Sequence, residues 1–566
     1  MQVRYMSPRE LLMAQHRRTA RLTGFGLAGA VLLATTACSG SGSGSSTPSG
    51  DAISSIGTNQ VSTGTATKDV DAVTWSGDYR PLLSLDPVKV PDYPEETAIP
   101  NICEPLIRVA PDYSLSPGLA ASYTFTNPTT LVLKLRQAVK FSDGAPMTSA
   151  DVAFSLNRNR DPNVASGYGF AFAKVKSIAA TDPSTVTITF TQPSPTFPNT
   201  LATLAGAVVR KSFAEAKGAA FGSPDTGVVC TGPFKFTSYD GSTRLVLTRN
   251  DDYWDTARKA RAKTFTFVYA TDNSALVNGL MSGQIQGAFN LPSNLLDQLG
   301  SAPSGKVYLG GEGSTPVNLD LLMAKDTGPG ADPRVRQALS LVIDRPAIAK
   351  TIFKGASDPL YKVVGPGLWG YERDTFRAAY QSMVRQPDVP AAKALVEQAN
   401  AGGATLTLGY PSGNPQLVQV ATVLQQEAAQ IGFTLKLVGV PNQQYGSLFT
   451  DPAARKPFDL FLTLNYVELP EPALMDQLFG GTGGGTNFSG YTNPAVDQAL
   501  DQANQASDPA ARARFVLEAE AQLAKDLPSI PIVQPRAIVF QNNQLTGAPL
   551  TFAYMTSPWA AAIGGK

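Results

Sequence analysis

Histidine is almost missing: the only one in 566 residues is His16. It falls in a basic and apolar N-terminal stretch that reads as an export signal, so the mature chain has none. This excludes Ser-His-Asp and Cys-His nucleophile systems and imidazole-ligated metal sites. No Gly-x-x-x-x-Gly-Lys-Ser/Thr phosphate loop occurs. "GGTGGGT" at 480–486 has no following lysine and reads as a flexible loop. Charge is scarce as well, at 16% of residues. Removing residues 1–37 takes away five Arg and one Glu, leaving 41 basic against 44 acidic side chains and a net charge of −3. Nothing in that balance calls for a nucleic-acid partner. Cysteine is limited to Cys38, Cys103 and Cys230. The last two are candidates for a disulfide in an extracytoplasmic compartment, although the sequence does not give their distance.

What is present fits a soluble globular protein with an apolar fraction of 43%. The length implies several domains or subdomains, and 50 Gly and 43 Pro imply many connections. The N-terminus is expected to lie outside the fold. "RRTARLTGFGLAGAVLLATTAC" joins a basic segment to an apolar run. At about 16 residues that run is shorter than the ~20 needed to span a bilayer as a helix. "TTAC" resembles the lipobox of bacterial lipoproteins, with Thr35 where leucine is usual. The resemblance implies cleavage before Cys38 and lipidation of its thiol. "SGSGSGSSTPSG" follows, a composition that forms a tether rather than a core.

Alternating apolar residues predict strands in "DAVTWSGDY", "LVLKLRQAVKF" and "STVTITFTQP". Thr148 with Asp151 three residues on predicts a capped helix opening "TSADVAFSLNRNRDP" and stopping before Pro162. "VVCTGPFKFTSYDGSTRLVLTRNDDYW" reads as a turn and a hairpin-like pair. "DPRVRQALSLVIDRPAIAKTIF" reads as a helix with Asp332 as N-cap and Pro333 in its first turn. "ATLTLGYP", "PQLVQVATVLQQEAAQIG" and "FTLKLVGV" form a βαβ unit, which requires a parallel strand pair. "SDPAARARFVLEAEAQLAKDLP" is a long late helix, and "SIPIVQPRAIVFQ" returns to strand.

Four segments resemble the substrate-binding proteins of peptide and nickel ABC importers, the oligopeptide/dipeptide-binding group (bacterial extracellular solute-binding protein family 5). They are "LKLRQAVKFSDGAPMTSADVAFSLNR", "CTGPFKFTSY", "DPRVRQALSLVIDRPAI" and "NFSGYTNPAVDQALDQA". The resemblance implies an α/β fold with two lobes, periplasmic-binding-protein-like (type II), with a discontinuous first lobe and an extra subdomain. Lobe I would comprise 68–112, 224–315 and 528–566, the extra subdomain 113–223 and lobe II 316–527, after a signal peptide (1–37) and a linker (38–67). It further implies a monomer without cofactor, tethered to the membrane by its lipid, that closes on a solute and delivers it to a permease driven by an ATPase.

In the family's peptide binders an aspartate in a Trp-x-x-Asp-x-x-Asp-Pro motif meets the ligand ammonium. The matching stretch here is "NYVELPEP", so Glu468 takes the anchor position, with Asn465 in place of the tryptophan and Tyr466 beside it. Glu471, before Pro472, reads as a turn-shaping residue. Trp369 in "GPGLWGY", Tyr410 and Asn487 fall where family segments border the cleft. A solvated loop acid is the alternative for Glu468, and plain packing for Trp369. The altered motif keeps open a non-peptide solute, such as an oligosaccharide or a chelated metal. A surface lipoprotein for adhesion or signalling is a further alternative. A hydrolase is disfavoured by the missing histidine.

Overall fold

The computed structural model describes residues 60–270 and 272–566. The signal peptide, Cys38 and the Gly/Ser tether lie outside these residues. Three sheets organise the chain. A seven-stranded sheet forms lobe I. Its strands run in the order Gly305–Leu309, Ile538–Asn542, Gly287–Ala288, Val70–Ser76, Ala262–Val268, Arg244–Arg249, Phe234–Tyr239. A six-stranded sheet forms lobe II, in the order Ser357–Pro359, Ser529–Pro535, Val317–Met323, Leu460–Tyr466, Thr405–Pro411, Thr434–Val440. A four-stranded antiparallel sheet, Ala120–Asn127, Thr130–Leu135, Thr185–Phe190 and Val175–Asp182, forms the extra subdomain.

The local signals explain the elements. Thr148 accepts from the Asp151 N–H while the Asp151 carboxylate accepts from the Thr148 N–H, closing the capping box on Ser149–Arg158. Thr405–Pro411, helix Pro415–Gln430 and Thr434–Val440 form the βαβ crossover, with the strands parallel. The stretch after Asp332 divides into two helices, Pro333–Val342 and Arg345–Thr351. Pro346 cannot supply the N–H that a continuous helix needs. The break turns Arg345 inward, where its Nε donates to the Leu360 and Pro531 carbonyls and Nη1 to that of Ser340.

Three expected boundaries shift. Residues 62–67 were expected in the linker but join lobe I: Thr63 N–H donates to Ala548 O at 2.8 Å, and Ser62 bridges Pro549. Residues 528–535 were expected in lobe I. Ser529–Pro535 instead pairs with Val317–Met323 inside the lobe II sheet, and only from Ile538 does the chain enter the lobe I sheet. One extended stretch thus serves two sheets, changing partners between Pro535 and Ile538. The 112/113 boundary cuts the hairpin of Ile107–Val109 with Leu115–Pro117.

Two segments cross between the lobes side by side. Gly310 N–H donates to Ala537 O at 2.8 Å, and Ala537 N–H to the Ser314 hydroxyl at 3.0 Å. Gly367 packs against this crossing so tightly that a Cβ would lie 1.8 Å from Thr315 O. At the root of the extra subdomain the sulfurs of Cys103 and Cys230 are 2.02 Å apart in a disulfide. It ties the outgoing connection to the returning one, beside the Gly232 N–H bond to Ile102 O at 2.8 Å. Both cysteines are buried, and 127 residues separate them. Replacing both by alanine should cost roughly 2–5 kcal/mol. Thermal unfolding with and without reductant checks this; an unchanged midpoint would show that the link carries no stability.

Candidate functional site

Strand Leu460–Tyr466 carries the anchor motif. It pairs with Val317–Met323 along its full length, but with Thr405–Pro411 only at Leu460 and Phe461. Beyond Phe461 its other edge therefore has no ladder partner. The strand delivers Tyr466 and then Glu468 toward lobe I. There they meet the short helix Tyr93–Ala98, capped by Asp92.

The centre of the meeting point is Glu96, on that helix and only 1% exposed. Its two oxygens accept from hydroxyls of different parts of the molecule: Tyr168 of the extra subdomain at 2.7 Å and Tyr466 of lobe II at 3.0 Å. Half-buried Glu468 completes the group, near enough for its charge to act on Glu96. Burial pushes the Glu96 carboxyl well above its ordinary range, and the Glu468 charge pushes it further. Burial raises Glu468 too. Like charges brought together in a low-dielectric site disfavour each other's ionisation. Among the described residues no Lys or Arg forms an ion pair with either. The contrast with neighbouring Glu95 is direct: its carboxylate receives two bonds from Arg80 and one from the Leu83 N–H.

An aromatic row runs away from this pair. Tyr93 and Tyr466 lie 4.8 Å apart by ring centroids, Tyr466 and Phe552 5.4 Å, and Phe552 and Tyr554 5.6 Å. Phe289 stacks on Tyr554 at 4.1 Å. Beside its far end is Asp78, whose Oδ2 is buried without a partner. Burial raises its carboxyl to about 7.

The other expected site residues go elsewhere. Asn465 points into the sheet, donating to buried Asp320 at 3.2 Å; it solvates a core acid and does not replace an aromatic wall. Trp369 packs inside lobe II, 5.6 Å from the Tyr380 ring, with its indole N–H on Val364 O. Tyr410 lies over Gly439 of the neighbouring strand, where a Cβ would come within 3.4 Å of its hydroxyl. Asn487 spends its amide on its own loop, donating to Gly481 O and Tyr491 O and accepting from the Tyr491 N–H. Glu471 precedes helix Pro472–Gly480 and joins Asn199 of the extra subdomain to lobe II, with Arg512 4.0 Å away. An open depression of about 650 Å³ lined by Asn157, Arg160 and Phe172 lies on the extra subdomain and shares no residue with this site.

The family model for bacterial extracellular solute-binding proteins, family 5 (middle), matches residues 114–487. The chain belongs to this family. Its members' shared role makes it the solute-binding component of an ABC import system. Among its relatives is the glutathione-binding protein of Escherichia coli, 26% identical over 499 residues, covering 85% of this chain and 92% of the relative. Two solved structures share the fold. The agropinic-acid-bound periplasmic binding protein AgaA of Agrobacterium tumefaciens has a TM-score of 0.74 and 23% identity, covering 88% of this chain and 99% of its own. The binding protein DppA of Helicobacter pylori, in complex with peptide STSA, has a TM-score of 0.73 and 22% identity, covering 88% and 98%. The two-lobed type II fold is that of the family.

For this family member, motif matching alone finds Tyr466 and Glu468. It misses Glu96, Asp78, Tyr168, Tyr93, Phe552 and Tyr554. The available signal was the acid-rich "DYPEET", which carries Asp92, Glu95 and Glu96 next to Tyr93. Charge alone does not separate the Arg-paired Glu95 from Glu96.

The raised carboxyls fix a sign. The folded protein holds protons that the unfolded chain has released above the ordinary carboxylate range, so stability falls as pH rises. Asp320 (about 8), Glu427 and Glu471 (both about 7) act in the same direction. The melting temperature of the empty protein should therefore drop between pH 5 and pH 8. Glu96→Gln, which removes one of the raised carboxyls, should flatten that slope. Parallel slopes for the two proteins would place the effect outside the pair.

Proposed function

We propose that this chain is a lipid-anchored receptor that captures a peptide by its free ammonium group between the two lobes and passes it to an ABC permease. The observation that carries the reading is the Glu96–Glu468 pair: two carboxyls from opposite lobes with no cation of the protein between them. A ligand ammonium placed there would offset both acids, and its attraction would be far stronger than in water. Because the two acids sit on different lobes, the cation favours the closed state over the open one. That differential affinity is what a hinge closure requires.

The edge of strand Leu460–Tyr466 beyond Phe461, where no strand pairs and the Leu462 carbonyl accepts from the Tyr445 hydroxyl, supports a peptide in particular. An extended chain can hydrogen-bond to such an edge by strand addition, with its side chains alternating between pockets. The peptide bound by the Helicobacter pylori structure and the glutathione bound by the Escherichia coli relative support the same class. Export, cleavage before Cys38 and a Gly/Ser tether support a location on the outer face of the cell membrane. No helix among the described residues is long and apolar enough to cross a membrane.

Titration calorimetry with tetra-alanine tests the anchor. Glu468→Gln should weaken binding tenfold or more, the scale of one charge-assisted hydrogen bond, and N-acetylation of the peptide should act the same way. Equal affinity of wild type and variant would make Glu468 a loop acid. Mass spectrometry of the small molecules that co-purify decides the solute class: a peptide pool supports the reading, and a sugar or metal chelate overturns it. Cys38→Ala should move the protein from the membrane fraction to the soluble fraction; continued partition with membranes and detergent would overturn the anchor.

A further inference from the structure

We propose that the cleft takes a dication, with one cationic group held between Glu96 and Glu468 and a second facing Asp78 across the row of Tyr466, Phe552 and Tyr554. The inference deepens the peptide reading above and rests on it for the first cation. The second cation rests on separate observations. Asp78 follows the strand Val70–Ser76 with a positive φ of 83°, a conformation costly for a residue other than glycine. That backbone sets the carboxyl beside Asn290, which follows the Phe289 stacked on Tyr554, and its charge also reaches Tyr93 at the other end of the row. One oxygen accepts from the Tyr79 N–H at 2.7 Å. The other is buried with no hydrogen bond of ordinary geometry, and only the Asn290 amide is near enough to favour its charged form. The Tyr554 hydroxyl is also unpartnered, on a residue 2% exposed, and feels the charges of both Asp78 and Glu96. The wall thus has an unmet acceptor at one end, an uncompensated acid pair at the other, and aromatic rings between.

The protein's own cations are already engaged. Arg80 is bound to Asp92 and Glu95. Arg373 donates to Trp369 O, and Arg512 lies over the Tyr371 ring near Glu471. Asp92 adds further negative charge near both Asp78 and Glu96. A buried acid without a cationic partner is costly, and aromatic faces attract ammonium and guanidinium groups. A linear ligand with two such groups satisfies all three features together. The matching chemistry is a peptide with a free N-terminus and a lysine or arginine side chain, or a simple diamine.

The test is calorimetry on the mature chain at pH 7.5. The probes are tri-alanine, its three variants with lysine at positions 1, 2 and 3, glutathione and 1,5-diaminopentane. At least one lysine peptide should bind tenfold or more tightly than tri-alanine, and glutathione should bind more weakly than tri-alanine. In Asp78→Asn the ratio of lysine peptide to tri-alanine should fall to near one, and Asp78→Glu should restore part of it, with melting curves confirming that both variants fold. Equal affinity for all four alanine-based peptides overturns the dication while leaving the peptide reading standing. So does a lysine preference that survives Asp78→Asn. Binding of the diamine without any peptide supports the dication and overturns the peptide reading. Failure of every probe overturns both.

Discussion

Two carboxyl groups from opposite lobes meet at Glu96 and Glu468, and much of the surrounding structure is arranged around that contact. Tyr168 and Tyr466 donate to Glu96 from two further directions, so the acid is fixed by the extra subdomain and by lobe II while its backbone belongs to lobe I. In water two like charges at this range cost little. In a buried wall each makes ionisation of the other more costly, and a proton or an external cation relieves that cost. The same pair bears on how pH acts on the protein and, on the proposed reading, on which ligands favour closure.

The scaffold makes that contact reproducible. The crossing segments are hydrogen-bonded to each other at Gly310, Ser314 and Ala537, which limits how the lobes can approach. The disulfide Cys103–Cys230 fixes the root of the extra subdomain, from which Tyr168 reaches Glu96. Tyr113 extends the linkage: its hydroxyl donates to Ser314 O in the crossing and accepts from the Phe552 N–H in the aromatic row. Movement at the crossing is thereby coupled to a ring that lines the site.

The sequence made the local elements legible where one period or one cap dominated. The capping box at Thr148, the βαβ unit over 405–440 and the helix after Asp508 need only nearby residues. The boundary near 528 was not legible, because Ser529–Pro535 and Ile538–Asn542 have the same apolar strand character and differ only in their distant partners. The site divides in the same way. Tyr466 and Glu468 were found through a motif, whereas Glu96 and Asp78 matter through what is absent around them, and an absent partner leaves no trace in sequence. Asn465, Trp369, Tyr410 and Asn487 show the converse. Each lies in a family segment, yet each side chain is committed to its own lobe.

The departure from the family motif has a physical reading in this setting. An aspartate at 468 would end one methylene, about 1.5 Å, short of the present carboxyl. The longer glutamate side chain reaches across to Glu96. The exchange keeps the anchoring charge and brings a second acid within its range, making the position more selective for positive charge. Glutathione, with two carboxylates and one ammonium, fits a wall of this sign poorly, although a relative that binds it shares 26% of this sequence. Shared fold and shared motif position thus support the proposed place of the anchor. On that reading the acids at Asp78, Glu96 and Glu468 set the kind of molecule that the anchor accepts.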